Sequence, residues 1–134
     1  MKIRNTSKIS TEELKPLIRF CLHGIKHKRG LKTLQIKHSN RVASSGLYFS
    51  NGRIMVKIQN NPIIYPFTWK YPNHKKCRIY EIIIKDWKEA FIHTLTHELN
   101  HHIQYSKGKK PREDQCEKKA YLTIMKYRNN GGDK

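Results

Sequence analysis

The stretch HTLTHELNHHIQY, residues 93–105, places four histidines and one glutamate within thirteen residues. At its centre is H-E-x-x-H: His97, Glu98, Leu99, Asn100 and His101. On a helix, side chains four apart share one face about a turn from each other, so both imidazoles can reach one ion. Zinc accepts neutral imidazole nitrogens at about 2.0–2.1 Å. Glu98 projects beside the pair, too constrained to ligate but placed as a base for a water that the ion acidifies before attack on a carbonyl. An apolar stripe at Trp87, Phe91, Leu95, Leu99 and Ile103 backs the motif. Asp86 and Glu89 have capping-box spacing, so the spacing predicts a helix from Asp86 to near Gly108.

A catalytic zinc needs a third protein ligand and an open fourth position. Pro111 opens a last helix that offers Glu113 and Glu117 one turn apart, with Ala120, Leu122 and Met125 beyond. If the two helices pack antiparallel about a turn at 107–110, His101 lies roughly 9 Å before that turn, and an equal step back lands near residue 117. Small Ala120 would let the helices approach closely. Glu117 is therefore the expected third ligand, with Glu113 as the alternate; in that alternate arrangement Glu117 would orient a histidine. Glu113 also has an ordinary role as negative charge in a first helical turn. Imidazole with carboxylate suits Zn2+ among the divalent metals.

Working outward, STEE (10–13) has the form of a capping box. It is followed by Leu14, Leu17, Ile18, Cys21, Leu22 and Ile25, which predict an amphipathic helix ending near Gly30. Pro16 allows a later start at Lys15. TLQIKH (33–38) alternates like a strand. GLYFSNGRIMVKI (46–58) reads as a hairpin about a two-residue Asn51-Gly52 turn. YPFTWKY (65–71) sets Tyr65, Phe67, Trp69 and Tyr71 on one side of a strand that Pro62, Pro66 and Pro72 confine to an edge. Such a stripe is ordinary core, or else a stacking surface for unpaired bases or a rim for a peptide substrate. RIYEIIIK (78–85) is a further strand leading into the histidine-bearing helix.

With 134 residues the chain suits one domain, 1–134, with 1–9 and 129–134 expected to fray. No apolar run approaches a membrane span, and the N-terminus lacks the apolar centre of a secretory signal. Three cysteines without framework spacing suit reduced thiols, so the expected location is cytoplasmic. Twenty-eight Lys and Arg against 10 Asp and Glu give a formal charge of +18, a field that attracts nucleic acid. The basic residues are spread along the chain, which suits contact with phosphate backbone more than base reading. His23 and His27 lie among cations that oppose metal binding, His93 extends the 97–101 stripe, and His102 points away from His101. Tyr105 and Tyr121 are candidate oxyanion donors.

At THELNHHIQY, followed by EDQCEKKAY, the chain resembles the zincin metallopeptidases, in particular compact members of gluzincin type that pair HExxH with a downstream E-x-x-A. The order of helix, strands with ASSGLYFSNGRIMVKI, and HExxH helix is also similar to SprT-like proteases, which degrade proteins crosslinked to DNA. No third histidine follows His102, and the extended turn motifs of metzincins are absent. The resemblance implies a minimal α+β zincin fold, zinc held by His97 and His101, Glu98 as base, and substrates among DNA-associated proteins. Two other functions fit the same residues. One is a basic nucleic-acid-binding protein with a structural or accidental HExxH; the other is a regulatory protease for a single repressor or antitoxin.

Overall fold

Asp86 accepts a hydrogen bond from Glu89 N–H at 3.0 Å and opens the central helix α2 (Trp87–Ser106). Glu89 accepts from the Lys85 N–H at 2.9 Å, and Arg128 grips its carboxylate at 2.7 Å to both oxygens. The computed structural model describes residues 1–25, 29–70 and 80–131. Its remaining elements in chain order are β1 (Lys2–Asn5), α1 (Thr11–Leu22), β2 (Thr33–His38), β3 (Ser44–Phe49), β4 (Arg53–Ile58), a 3-10 turn (Pro62–Ile64), β5 (Phe67–Trp69), β6 (Ile82–Ile84) and α3 (Glu113–Asn129).

The fold is α+β. Four strands form one sheet in the order β1-β2-β4-β3, with β1, β2 and β4 parallel and β3 antiparallel on the edge; β5 and β6 form a separate antiparallel pair. Leu34, Ile36, Ile54, Val56 and Ile58 point inward from β2 and β4 and are fully buried with Leu14, Phe91, Ile92, Leu95 and Leu99. The helix α2 contacts β3, β4, α1 and α3, so it is covered on most sides. Of its predicted stripe, Phe91, Leu95 and Leu99 are buried and Trp87 and Ile103 only partly so, while Ala90, Ile92 and Thr94 on other sides are buried as well. No helix among the described residues is long and apolar enough to cross a membrane.

Several boundaries differ from the sequence expectation. Residues 1–9, expected to fray, contribute β1, which pairs with β2 from Lys2↔Thr33 to Asn5↔Ile36. A four-residue parallel strand has no room to display a period, so its sequence reads as a loose end. Helix α1 is capped by Ser10 with Pro16 inside it, and it ends at Leu22 rather than near Gly30, because Gly24 turns the chain away at φ 78°. The hairpin loop has three residues, since Phe49 pairs with Arg53. Gly52 takes the left-handed position, and a Cβ there would meet the Gly30 carbonyl. The aromatic stripe is partly buried against the core and its strand is only three residues long. Tyr71, the start of the 78–85 strand and residues 132–134 lie outside the described residues.

Glu89 is fully buried, so the Arg128 pair matters to stability. Burial pushes its carboxyl up, but Arg128, the Lys85 N–H and both nearby cations outweigh this and hold it below the usual 4.5. A depressed carboxyl contributes stability above its unfolded value that is lost as pH falls through the folded value. Arg128→Ala should therefore cost about 2–4 kcal/mol at pH 7, at the lower side for a buried pair because Arg128 is partly exposed. The gap between the two proteins in urea unfolding should shrink as pH falls below about 4.5, where the unfolded carboxyl gains its proton. A gap independent of pH would show that Arg128 acts through packing alone.

Candidate metal centre

The burial of α2 dictates how its polar residues must be satisfied, since a buried polar group without a partner costs several kcal/mol. His97 and His101 share one face, their ring centroids 4.9 Å apart. Both turn Nε2 towards the Glu113 carboxylate: His97 at 2.7 Å from Oε2, His101 at 3.0 Å from Oε1. The other ring nitrogens are tied behind. His97 Nδ1 lies 3.3 Å from Glu117 Oε1, and His101 Nδ1 lies 3.2 Å from Gln104 Oε1. With a cation between the rings and Glu113, the acceptors on both Nδ1 atoms would keep the proton there and leave each Nε2 lone pair to the ion.

Both candidate glutamates are thus at the histidines, on different sides. Glu113, the first residue of α3, meets the Nε2 atoms. Glu117 is buried behind His97, where it also accepts from Trp69 Nε1 at 3.2 Å. The start of α3 is held by Gln104, which donates to the Arg112 carbonyl and Gln115 Oε1 and accepts from the Arg112 N–H. Two imidazole nitrogens and one carboxylate on a common point form a donor set that fits a divalent ion such as zinc. Cys116 offers a second grouping with His97 and His101, all ligand atoms within 4.8 Å. Its thiol, however, lies 3.5 Å from His101 Nδ1, the nitrogen directed away from Glu113, and burial pushes it up to about 12.

Glu98 is buried against β3. A Cβ on Gly46 would stand 2.9 Å from its Oε2 and 2.8 Å from Thr94 Cγ2, so glycine is what lets the strand come this close. Burial pushes the Glu98 carboxyl up to about 7; His97 opposes this, while the charges of Glu113 and Glu117 add to it. Burial likewise lowers His97, but Glu117, Glu98 and Glu113 together raise it above its ordinary value. His93 extends the stripe behind the site, buried, 3.6 Å from Glu117 Oε2 and 4.4 Å from Trp69 ring to ring; burial lowers it to about 4.

Glu98, His97 and His101 open onto a cavity of about 470 Å3 walled by Gly46, Leu47 and Tyr48 on one side and Tyr105, Lys109 and Glu113 on the other. Tyr105 lines it, whereas Tyr121 packs against the core. His102 is buried apart from the pair, its Nδ1 2.9 Å from Tyr48 Oη and its Nε2 3.1 Å from the Arg29 carbonyl, so it fastens β3 and the loop before β2 to α2. His23 caps α1; His27 lies outside the described residues. Sequence reasoning missed Gly46 and Gln104. A glycine inside a strand signals close backbone approach, which was available for Gly46; Gln104 gave no signal.

Comparisons with protein-family models, with curated proteins and with solved structures return no match.

Gly46→Val should force Glu98 and Thr94 aside and cost about 1–3 kcal/mol in thermal or urea unfolding. A smaller change on the opposite face, Leu47→Val, should cost less than 1 kcal/mol because that side chain is exposed. Equal losses at both positions would contradict the tight approach of β3 to Glu98.

Proposed function

We propose that the chain is a metal-dependent peptidase. His97, His101 and Glu113 hold one divalent ion, Zn2+ being the one the donor set suits, and Glu98 is the general base. The observation that carries this reading is the direction of the four ring nitrogens, both Nδ1 atoms engaged by fixed acceptors and both Nε2 atoms facing one carboxylate. An isolated pair of surface histidines has no need of such orientation.

A bound ion supplies a Lewis acid that polarises a carbonyl and acidifies water. The chain's own groups do the rest. Glu98, on the same cavity wall, takes a proton from water as its oxygen attacks the scissile carbonyl carbon, then delivers that proton to the amine nitrogen as the C–N bond breaks. Glu117, fixed by Trp69, keeps His97 in its tautomer and orientation. Strand β3 is an edge strand at the cavity, so its free backbone groups offer an extended peptide a partner. Support for a peptide rather than a small substrate comes from that edge.

The purified protein should carry about one equivalent of zinc by elemental analysis. Glu98→Gln should keep the metal and lose hydrolysis of a complex peptide mixture, followed by mass spectrometry, by about 100-fold or more. Full activity in that variant would refute the mechanism.

Glu113→Ala should lose the metal, while Glu117→Gln should retain it with affinity lowered about 10–100-fold. The reverse pattern would assign Glu117 as the ligand.

A further inference from the structure

No Asp or Glu occurs between Glu13 and Glu81, a segment that contains three of the four strands of the main sheet, and the remaining strand, β1, has none either. Apart from Glu81, beside β6, the protein's carboxylates lie on the helices, at a helix cap or near the C-terminus, so none stands on the four-stranded sheet. Strand alternation then decides which cations face outward. Ile3, Leu34, Ile36, Ile54 and Val56 turn to the core, so Lys2, Arg4, Lys37, Arg53 and Lys57 stand on the opposite face. Register sets Lys37 directly beside Lys57. Cross-strand neighbours are about 5 Å apart and same-face residues on a strand about 7 Å apart, so the five form a continuous field.

Among the described residues, none of these five cations has a carboxylate partner, and the three helices pack on the other face: α2 on β3 and β4, α1 and α3 on α2. Apolar groups are set between the charges. Leu47 is 55% exposed, Met55 lies beside it in register, and Phe49 carries the Arg53 guanidinium 4.0 Å from its ring centroid. Placing like charges side by side is destabilising unless a polyanion meets them. Cations interleaved with apolar and aromatic side chains on an open sheet suit a strand whose phosphates and unpaired bases are both accessible.

We propose that this open face of the four-stranded sheet binds a single nucleic-acid strand, the cations meeting its phosphates while Leu47, Met55 and Phe49 contact its bases. The cations of this site face away from the metal centre, which lies on the inner side of β3, where Gly46 faces Glu98; Leu47, at the edge of the strand, borders both. Nucleic acid would therefore lie across the back of the strand that walls the cavity.

The test is fluorescence anisotropy of a labelled single-stranded DNA 20-mer with the full chain, in EDTA, from 50 to 200 mM salt. EDTA removes metal, so failure here and failure of the peptidase reading are distinguishable. Five phosphate contacts predict a slope of log K against log salt of about −3.5. Arg4→Gln/Lys37→Gln/Lys57→Gln should lower that slope to about −1.4 and weaken binding about tenfold or more at 0.1 M salt. A control with the same net charge, Lys118→Gln/Lys119→Gln/Lys126→Gln on α3, should stay within about threefold of the native chain. Equal losses in both triple variants would overturn the proposal by reducing it to net charge, as would tighter binding of a duplex of the same length. Both variants are compared by circular dichroism; if the sheet variant unfolds, Lys57→Gln alone must still flatten the slope, and an unchanged slope overturns the assignment.

Discussion

Helix α2 must bury most of its surface while carrying four histidines, two glutamates and a glutamine, and the rest of the structure answers to that constraint. Its apolar side chains supply the core contacts with the sheet and with α1. Each buried polar side chain then needs a partner from elsewhere in the chain. Glu89 takes Arg128, His102 takes Tyr48 and the Arg29 carbonyl, and Gln104 takes the start of α3. These bonds fix the helix against both neighbours before any function is considered.

The candidate site inherits its order from those anchors. Because Gln104 holds Arg112 and Gln115, Glu113 is delivered to the Nε2 side of both histidines, and Glu117 falls one turn further along, behind His97. Trp69 and His93 close the rear of the site, and Gly46 lets the edge strand reach Glu98. The result is a layered arrangement in which the groups facing the cavity are held by groups with no access to it.

Much of this was legible in the sequence. Four-residue spacing placed His97 and His101 on one face, Asp86 and Ser10 marked helix starts, and alternation marked β2 and β4. The order of the two glutamates was harder to read. Glu117 falls level with His101 only if helical rise holds throughout the turn, whereas residues 107–112 are not helical, and extended chain covers about 3.3 Å per residue against 1.5 Å. The return to the level of the histidines therefore takes fewer residues, which brings in Glu113. Partners far apart in sequence, such as Trp69 with Glu117 and Gly46 with Glu98, leave no local period to detect. The same applies to β1, which is defined by its pairing with β2 rather than by its own four residues.

Charge and chemistry are partitioned across β3. Its inner side faces carboxylates and imidazoles, while its outer side belongs to a sheet with no carboxylate at all. The proposed metal centre lies on the inner side, and X-ray absorption at the zinc edge of the metal-loaded protein examines it directly. Two imidazoles and a carboxylate predict a first shell of nitrogen and oxygen at about 2.0–2.1 Å with imidazole outer-shell scattering and no sulfur. A sulfur shell near 2.3 Å would place Cys116 on the ion and contradict the assignment of Glu113.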